Sequence, residues 1–515
     1  MSAWAGWTLE AWRRNGWARL AAVAISLATA LPCLAQAPGT LDTSFGGTGI
    51  VTTAVSAGTG DDRAYAVAVQ PDNRIVVAGT CQADFCMVRY LADGSLDTSF
   101  GTGGRVIQHL VGDDSAYAMA LQPDGRIVLA GSCIPTASLT VAMCVASFTS
   151  SGALDTSFGG GTGYTLLNVA SGGEAVRAIA LQGDGRIVLA GHCAVAFASS
   201  LDDFCLARLN ADGSVDTSFG VAGSGWIVSN LGGGTNRQRA NALAIRPDGK
   251  YMLAGQCEIG GSDRFCIAQY EANGATLDLS FGAGAGYITH SLSATYPSRA
   301  LGMVVQPNGR LLLLGVCGSD SCTARYLPTG VVDTSYGTNG VEGTAGTTGY
   351  VPTTAGLAQA VDGSIVAGSF WNPGAGFDGS QLRLLSPDGS FVASYLGAPS
   401  YIASAAQGWA GLAIQRDGKI VAAMSTADLA NASTGNFRVV RVHGFDYQGR
   451  NCSLDVDGDG VVTPMSDALI HARVALGMRG AAVTNGIVFA PHASRNTWAS
   501  IRQYLVSHCG MTIAP

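Results

Sequence analysis

Three aspartates near the C-terminus have the spacing of a loop that binds a metal ion. Asp455, Asp457 and Asp459 occupy the first, third and fifth positions of the loop, and Gly460 follows them. Carboxylates at alternate positions converge on a hard cation, and the glycine permits the sharp turn that such a loop needs. We therefore predict a calcium ion here. The expected ligands are oxygen donors from Asp455, Asp457, Asp459, the carbonyl of Val461, Thr463 and Asp467.

Helical sequence follows this loop. Asp467–Leu476 and Thr497–His508 are predicted helices. The second has apolar residues on one face at helical spacing: Trp498, Ile501 and Leu505. The EF-hand-like loop and its helix resemble one half of a dockerin, the calcium-dependent docking module of secreted bacterial proteins. The chain departs from that pattern because Ser466 fills the twelfth loop position and no second Asp-rich loop follows. The alternative is an Asp-Gly turn that needs no metal.

Acidic residues recur elsewhere, but none of them forms a catalytic set. One recurs in each of six similar turns: Asp42, Asp97, Asp155, Asp216, Asp278 and Asp333. A short polar side chain at a turn accepts hydrogen bonds from backbone N–H groups, so we interpret these aspartates as caps. The pair Asp61 and Asp62 and the pair Asp113 and Asp114 have the composition of a glycosidase acid–base pair, yet adjacent side chains diverge. No nucleophile elbow, HExxH motif or Ser-His-Asp spacing is present, and we predict no catalytic residue.

The clearest pattern is a repeated phrase. Leu-Asp-Thr-Ser-Phe-Gly or a near copy recurs at intervals of about 55 to 62 residues, at 41–46, 96–101, 154–159, 215–220, 277–282 and 332–337. A long fixed period indicates one structural unit copied along the chain. A second phrase, a variant of Gln-Pro-Asp-Gly-Arg, counts seven units, beginning at Gln70, Gln122, Gln182, Arg246, Gln306, Gln359 and Gln415.

Each unit predicts four short strands. In the unit Gly49–Gly101 these are Ile50–Val55, Ala64–Gln70, Arg74–Cys81 and Phe85–Leu91. Polar turns separate them, and Pro71–Asn73 favours a tight turn through the preset φ of proline and the tolerance of asparagine for positive φ. Arg74–Cys81 is almost continuously apolar, which is typical of a strand covered on both faces.

Seven such units indicate a mainly β protein, a seven-bladed β-propeller of four-stranded antiparallel units, with a small C-terminal helical module. The N-terminal segment Leu41–Val51 has no partner in its own unit. We expect it to complete the last unit, near Phe437–Val442, because that pairing removes exposed sheet edges. An open β-solenoid is the alternative.

The repeated phrases resemble the delta-sixty repeat, a bacterial β-propeller-like repeat family. Its pattern is Leu-Asp-x-Ser-Phe-Gly and then Gln-Pro-Asp-Gly-Lys-Ile-Val-Val-Ala-Gly, and Gln122–Gly131 is nearly verbatim. The resemblance covers about Gly39–Gly449 and weakens in units six and seven, where Pro387–Phe391 is all that is left of the first phrase. It implies a secreted or surface protein without a defined activity.

The cysteines predict disulfides. Five couples lie inside units and a sixth brackets the C-terminal segment: Cys81 with Cys86, Cys133 with Cys144, Cys193 with Cys205, Cys257 with Cys266, Cys317 with Cys322, and Cys452 with Cys509. In each of the first five, one cysteine ends a strand and the other begins the next. Directly opposed residues on antiparallel strands are close enough to be bonded after a small adjustment. We predict six disulfides and an oxidising compartment. Zinc is the competing interpretation, disfavoured because only His192 adjoins a couple.

The N-terminus predicts export. Arg13, Arg14 and Arg19 precede the apolar run Leu20–Leu31, and small residues before Gln36 suit cleavage. The run is shorter than the ~20 residues of a membrane span. We expect a signal peptide at 1–35, a repeat domain at 36–448 and the calcium-binding module at 449–515. The protein is then secreted, extracellular or at the cell surface, with the periplasm as the alternative.

Charge excludes some partners. The net charge is −7, and lysine occurs only at Lys250 and Lys419, whereas nucleic acids and anionic membranes need clustered cations.

The segments between paired cysteines are longest in units two to four, at Ile134–Met143, Ala194–Phe204 and Glu258–Phe265. Insertions of this kind collect on one face of a repeat protein, often its binding face. We therefore expect a binding or scaffold protein whose ligand is a glycan or a protein. A polysaccharide hydrolase and a structural surface protein without a ligand are the alternatives.

Replacing Asp455 and Asp457 together by alanine should abolish the gain in thermal stability that calcium gives the mature chain, because two charged ligands are lost. Calorimetry with calcium and with chelator measures the gain. A control, Asp72→Ala with Asp124→Ala in repeat turns, should keep it. The same calcium-dependent shift in both double variants would contradict the site.

Overall fold

The computed structural model describes residues 39–507, with gaps at 58–59, 137–139, 171, 195–200, 233–236, 294–296, 307, 319, 344–353, 361–363, 372–378, 387–389, 396–405, 416, 429–430, 445–468, 471–472, 475–477, 479 and 490–496. Three predicted features lie outside the described residues. These are the signal peptide, the calcium loop with its ligands Asp455 to Asp467, and the Cys452–Cys509 disulfide.

Seven four-stranded antiparallel sheets, here called blades 1 to 7, make up the repeat domain. Blade 1 contains β2 (Asp62–Val69), β3 (Ile75–Cys81), β4 (Asp84–Tyr90) and β5 (Arg105–Gln108). Blade 2 contains β6 (Gly112–Leu121), β7 (Ile127–Pro135), β8 (Ala142–Phe148) and β9 (Tyr164–Leu167). Blade 3 contains β10 (Glu174–Leu181), β11 (Ile187–Ala194), β12 (Asp202–Leu209) and β13 (Trp226–Ser229).

The remaining blades repeat this order. Blade 4 contains β14 (Gln238–Ile245), β15 (Tyr251–Ile259), β16 (Ser262–Tyr270) and β17 (Tyr287–His290). Blade 5 contains β18 (Ser298–Val305), β19 (Leu311–Cys317), β20 (Asp320–Tyr326) and β21 (Val341–Gly343). Blade 6 contains β22 (Thr354–Gln359), β23 (Ile365–Trp371), β24 (Gly379–Leu385) and β25 (Phe391–Tyr395). Blade 7 contains β26 (Ala406–Ile414), β27 (Ile420–Asp428), β28 (Asn431–Val442) and, from the start of the domain, β1 (Ile50–Thr53).

The blades form a closed ring. The first strand of each blade contacts the first strand of the next, and β26 of blade 7 contacts β2 of blade 1. β1 pairs with β28 in register, from Ile50 opposite Val440 to Thr53 opposite Phe437. The predicted closure by the N-terminal segment is confirmed, and the open solenoid is wrong. The strand grouping needs one correction: the first strand of each sequence unit belongs to the preceding blade, so blades and units are offset by one strand.

The second and third strands provide most of the core. Every residue of β8, β11 and β12 is buried, which confirms that such apolar runs are covered on both faces. The phenylalanine of the repeated phrase packs between blades. Phe100, which lies between the third and fourth strands of blade 1, is fully buried and joins a cluster with Ile127 and Phe148 of blade 2.

Five disulfides connect the second and third strands of blades 1 to 5. They are the five couples predicted within the repeats: Cys81 with Cys86, Cys133 with Cys144, Cys193 with Cys205, Cys257 with Cys266, and Cys317 with Cys322. The predicted disulfide bonding within the repeats is therefore confirmed.

The geometry of these disulfides differs from the expectation of directly opposed cysteines. In blade 1, Cys81 lies opposite Asp84 and Cys86 lies opposite Gly79, so the two cysteines are diagonal neighbours on one sheet face. The second cysteine lies opposite a glycine in the other four blades as well: Cys144 opposite Gly131, Cys205 opposite Gly191, Cys266 opposite Gly255 and Cys322 opposite Gly315. The Cα–Cα distances are 5.4 to 5.9 Å, because the diagonal across a twisted pair of strands is still short enough to be bridged.

A glycine is required opposite the second cysteine. A Cβ on Gly79 would lie 1.8 Å from the carbonyl oxygen of Arg63, and the four equivalent glycines are similarly confined. The first strand approaches this closely because it contains a β-bulge at this level, for example between Ala64 and Ala66. A bulge adds one residue to a strand and bends it. The recurring glycine two residues before each first cysteine therefore reflects backbone crowding.

The recurring aspartates are buried in ion pairs as well as capping turns. Asp216 accepts hydrogen bonds from the backbone and hydroxyl of Ser218 through Oδ1, and from Arg208 Nε at 2.7 Å through Oδ2. Arg89, Arg325 and Arg441 bind their aspartates in the same way. Blades 2 and 4 differ, because Ser147 and Gln269 stand where the others have arginine. Burial opposes ionisation of Asp216, but Ser218 and Arg208 hold its pKa below the ordinary value.

The described residues of the C-terminal segment include the short helices α1 (Ala481–Thr484) and α2 (Trp498–Ser507), whereas the helix predicted at Asp467–Leu476 is described only in part. The second agrees with the helix expected at Thr497–His508. Ile501 and Leu505 are buried in a cluster with Ile470, Val474 and Val483. Within the part of the chain that the structure describes, no helix is long and apolar enough to cross a membrane.

Replacing Asp216 by alanine should lower stability by about 3 kcal/mol, because the buried guanidinium of Arg208 loses its carboxylate. The matched change Asp155→Ala should cost less, since its blade has Ser147 in place of the buried arginine. The midpoint of guanidinium unfolding measures both losses. The contribution of Asp216 is complete above pH 3.8, the ordinary pKa, and is lost as the pH falls through the lower pKa of the folded state. Equal losses in the two variants would contradict this role for Arg208.

Candidate functional site

The repeats separate structural positions from candidate functional ones. Residues that recur in every blade serve the fold, whereas polar residues that differ between equivalent positions are free to serve a ligand. Because the strands alternate in direction, two kinds of loop lie at one edge of each blade: the connection between the second and third strands, and the connection to the next blade. We call the surface formed by these edges the loop face. The Pro-Asp-Gly turns lie on the opposite surface, the turn face.

The recurring aspartates lie at the turn face and are structural. Each accepts a backbone and a hydroxyl hydrogen bond from the serine two residues later, as Asp97 does from Ser99. The other carboxylate oxygen of each aspartate, Oδ2, contacts a basic or polar side chain of the adjoining strands. Both oxygens of these aspartates are therefore engaged in local contacts, and the six carboxylates lie in separate blades. This agrees with their interpretation as caps.

The second members of the acidic pairs also cap loops. Asp62 accepts hydrogen bonds from the backbone N–H groups of Val55 and Ser56, and Asp114 accepts them from Leu110 and Val111. Glu174 and Gln238 make the same contacts in blades 3 and 4. The position is polar in blades 1 to 5, since blade 5 has Ser298 there, although the sequence pattern drew attention to two blades. Asp61 is directed to Arg63 instead, so Asp61 and Asp62 do not act on one point.

The bulge residues of the first strands form the most varied set on the loop face. The extra residue in each bulge is Tyr65, Tyr117, Arg177, Asn241 and Leu301 in blades 1 to 5. The first strands are the innermost of the ring, so these residues lie around its axis. Their chemistry changes from aromatic and cationic in blades 1 to 3 to apolar in blade 5.

Three of these residues contact one another across blade boundaries, and we call them the channel arc: Tyr65, Tyr117 and Arg177. The tyrosine rings meet edge to face with their centroids 5.1 Å apart. The guanidinium of Arg177 lies 4.2 Å from the centroid of the Tyr117 ring. Cation–π contact and edge-to-face packing are both favourable arrangements, so the three side chains of the arc hold one another in place.

Among the residues that the structure describes, no acidic side chain lies within ion-pair distance of Arg177, and Asp202 interacts with it only at longer range. Burial lowers the pKa of Arg177. A second cation, Arg239, interacts with it electrostatically but is itself paired with Asp202. The arc therefore presents a net positive charge in a chain whose overall charge is −7.

His192 adjoins this arc and is neutral. Its side chain is 7% exposed, and its Nδ1 has no hydrogen-bond partner in the described part of the chain. Burial, and then the charges of Arg177 and Arg239, lower its pKa to about 3. The equivalent positions in blades 1, 2 and 4 hold Thr80, Ser132 and Gln256. His192 therefore offers a neutral polar group beside the guanidinium, a feature that its proximity to Cys193 in the sequence did not indicate.

One predicted insertion is a strand extension. In blade 4 the pairing of β15 with β16 continues to Ile259 opposite Ser262, so Glu258–Phe265 is a long hairpin and not an irregular loop. The corresponding segments of blades 2 and 3 are described only in part. The hairpin and the channel arc both belong to the loop face, because the third strand starts where the first strand starts.

His192 should not titrate between about pH 5 and 8, the range in which an ordinary histidine changes charge. Histidine labelled with ¹⁵N allows this to be followed by NMR, and His192→Gln identifies the resonance. His109 in chelator-treated protein is the internal control: its hydrogen bond to Asp84 raises its pKa, so its titration should be visible. A titrating resonance that disappears in His192→Gln would contradict a buried, neutral imidazole.

Four segments of the chain match a family model described as a β-propeller domain of unknown function (DUF5122): residues 70–100, 122–158, 182–219 and 246–281. No curated protein matches the sequence.

Several solved structures are similar at low identity. A fungal alcohol oxidase of the AA5 family in complex with copper has 14% identity and a TM-score of 0.42, over 77% of this chain and 75% of its own. A catalytically inactive virginiamycin B lyase from Staphylococcus aureus has 11% identity and a TM-score of 0.38, over 76% and 98%. An α-L-arabinofuranosidase from Fusarium graminearum has 10% identity and a TM-score of 0.38, over 63% and 92%.

The matched segments run from the Pro-Asp-Gly turns to the repeated phrase in units one to four. With the closed ring of seven four-stranded sheets, they show that this chain is a β-propeller repeat protein.

Proposed function

We propose that the protein is a secreted or cell-surface binding protein whose ligand is a glycan carrying carboxylate or sulfate groups. The observation that carries this proposal is Arg177, a half-buried guanidinium that stacks on Tyr117 and has no carboxylate partner among the described residues. Isolated buried cations are costly, and an anionic ligand at this place would compensate the charge.

The channel arc has the groups that acidic sugars need. Arginine binds planar carboxylates and sulfates through two parallel N–H donors, and partial burial strengthens these bonds. Tyrosine rings supply rigid apolar surface for a sugar face and a phenol for its hydroxyls. Arg239, with 37% of its side chain exposed, adds a second cation at the edge of the same surface.

Binding is better supported than hydrolysis. A glycosidase needs two carboxyl groups with different roles on either side of the scissile bond. The carboxylate that interacts with the arc, Asp202, is engaged by Arg239. Asp62 caps a loop through both of its carboxylate oxygens, so it is not free to act as a base.

The flanking features extend the proposal. Five disulfides suit an oxidising compartment, which supports secretion. The C-terminal segment is proposed to bind calcium through the loop beginning at Asp455 and to be stapled by Cys452–Cys509, because a segment of this size has little core of its own.

The test is binding of the mature chain, Gln36 to Pro515, to an array of neutral and acidic glycans, with calcium and with chelator. Selective binding of acidic glycans is expected. Arg177→Ala should weaken glycan binding about 10- to 100-fold, because a hydrogen bond to a charged group contributes about 1.5–3 kcal/mol. Arg186→Ala is the matched control, since it removes the same charge from the turn face of the same blade and should leave binding unchanged.

Other outcomes would overturn the proposal in distinct ways. Binding of neutral glycans that survives Arg177→Ala would exclude the arc as the anion site. Shortening of the glycans during incubation would show a hydrolase. Absence of binding to every glycan on the array would favour a protein ligand or a purely structural role.

A further inference from the structure

A second polar cluster on the loop face, separate from the channel arc, lies where blade 1 meets blade 2. It consists of Asp84 at the start of β4, His109 after β5 and Asp114 in β6. One nitrogen or oxygen atom of each lies within 4.8 Å of the others. His109 Nδ1 is 2.8 Å from Asp84 Oδ1 and 4.0 Å from Asp114 Oδ2.

The repeats show which of these residues the fold needs. Asp114 caps a loop, and Asp62, Glu174 and Gln238 do so elsewhere. The position of His109, one residue beyond the paired end of the fourth strand, is filled by Ala54, Asn168, Asn230 and Ser291 in other blades. The position of Asp84 is filled by Ala142 in blade 2 and Arg264 in blade 4, and by aspartate again in blades 3 and 5, as Asp203 and Asp320. The blade architecture therefore requires neither His109 nor Asp84.

Burial gives a second, independent reason to assign a ligand. The side chain of Asp114 is fully buried, and its Oδ1 has no hydrogen-bond partner in the described part of the chain. Its Oδ2 accepts hydrogen bonds from the neutral backbone N–H groups of Leu110 and Val111. A buried carboxylate with an unmatched oxygen is unfavourable unless a cation compensates it. His109, 63% exposed, leaves the other side of the cluster open to solvent.

We propose that Asp84, His109 and Asp114 form a divalent-metal site of the zinc class. Imidazole nitrogen with carboxylate oxygens is a donor set that suits zinc, whereas calcium prefers oxygen ligands alone. Three protein ligands leave the exposed position for water or for an oxygen of a bound ligand. Small side-chain movements at His109 and Asp84 bring the donors to bonding distance, because both are partly exposed.

The experiment is zinc titration by calorimetry on the mature chain carrying Asp455→Ala and Asp457→Ala, so that the proposed calcium loop does not contribute. The metal-stripped protein should bind zinc at one site more tightly than it binds calcium. His109→Asn should weaken that site by about 10-fold or more, since even residues that merely orient a ligating histidine contribute 10- to 100-fold. Asp84→Ala should do the same.

Both substitutions reproduce residues that blade 2 has at the equivalent positions, Asn168 for His109 and Ala142 for Asp84. They should therefore leave the unfolding midpoint in chelator unchanged, which separates metal loss from misfolding. Asp124→Asn, an exposed carboxylate on the turn face, is the control and should bind zinc like the parent. Equal zinc affinity in His109→Asn and the parent would overturn the proposal and leave the cluster as a simple His109–Asp84 hydrogen bond. Tighter binding of calcium than of zinc would refute the metal class.

Discussion

Pairing between the two ends of the repeat domain is the constraint on which the rest of the structure depends. β1 supplies the fourth strand of blade 7, and Asp42 pairs with Arg441 at 2.7 Å across 399 positions of sequence. Without this strand, the last blade would expose an unpaired edge, and the first strands would not be held in a ring. The channel arc exists only because blades 1 to 3 are held side by side around that axis.

Closure divides the ring into two faces with different chemistry. The turn face repeats the same aspartate, serine and basic residue from blade to blade, and these groups satisfy one another in buried pairs. The loop face keeps the same backbone but varies its side chains, so Tyr65, Tyr117 and Arg177 occupy one position in three blades. Uniform chemistry on one face maintains the fold, which leaves the other face free to carry ligands.

The five disulfides of the repeats lie on the side of the loop face. Each fixes the hairpin between the second and third strands directly behind the loop face, and a glycine beside it lets the bulged first strand come close. Short hairpin disulfides restrict the unfolded chain and keep the strand ends aligned. The loop face can therefore tolerate segments of different length between the cysteines, as in blades 1 and 4, without loss of register.

The sequence alone determined the repeating unit, the number of units, the closing strand and the cysteine couples. These are local or periodic features: turn residues set strand ends, apolar runs set buried strands, and repetition multiplies each signal. Tertiary structure alone revealed the buried arginine partners, the diagonal cysteine geometry, the channel arc and the Asp84–His109–Asp114 cluster. Tyr65, Tyr117 and Arg177 are separated by about one repeat, and no local pattern connects them. They meet because a bulge turns each residue toward the axis and closure of the ring brings neighbouring blades together, and both depend on contacts between strands distant in sequence.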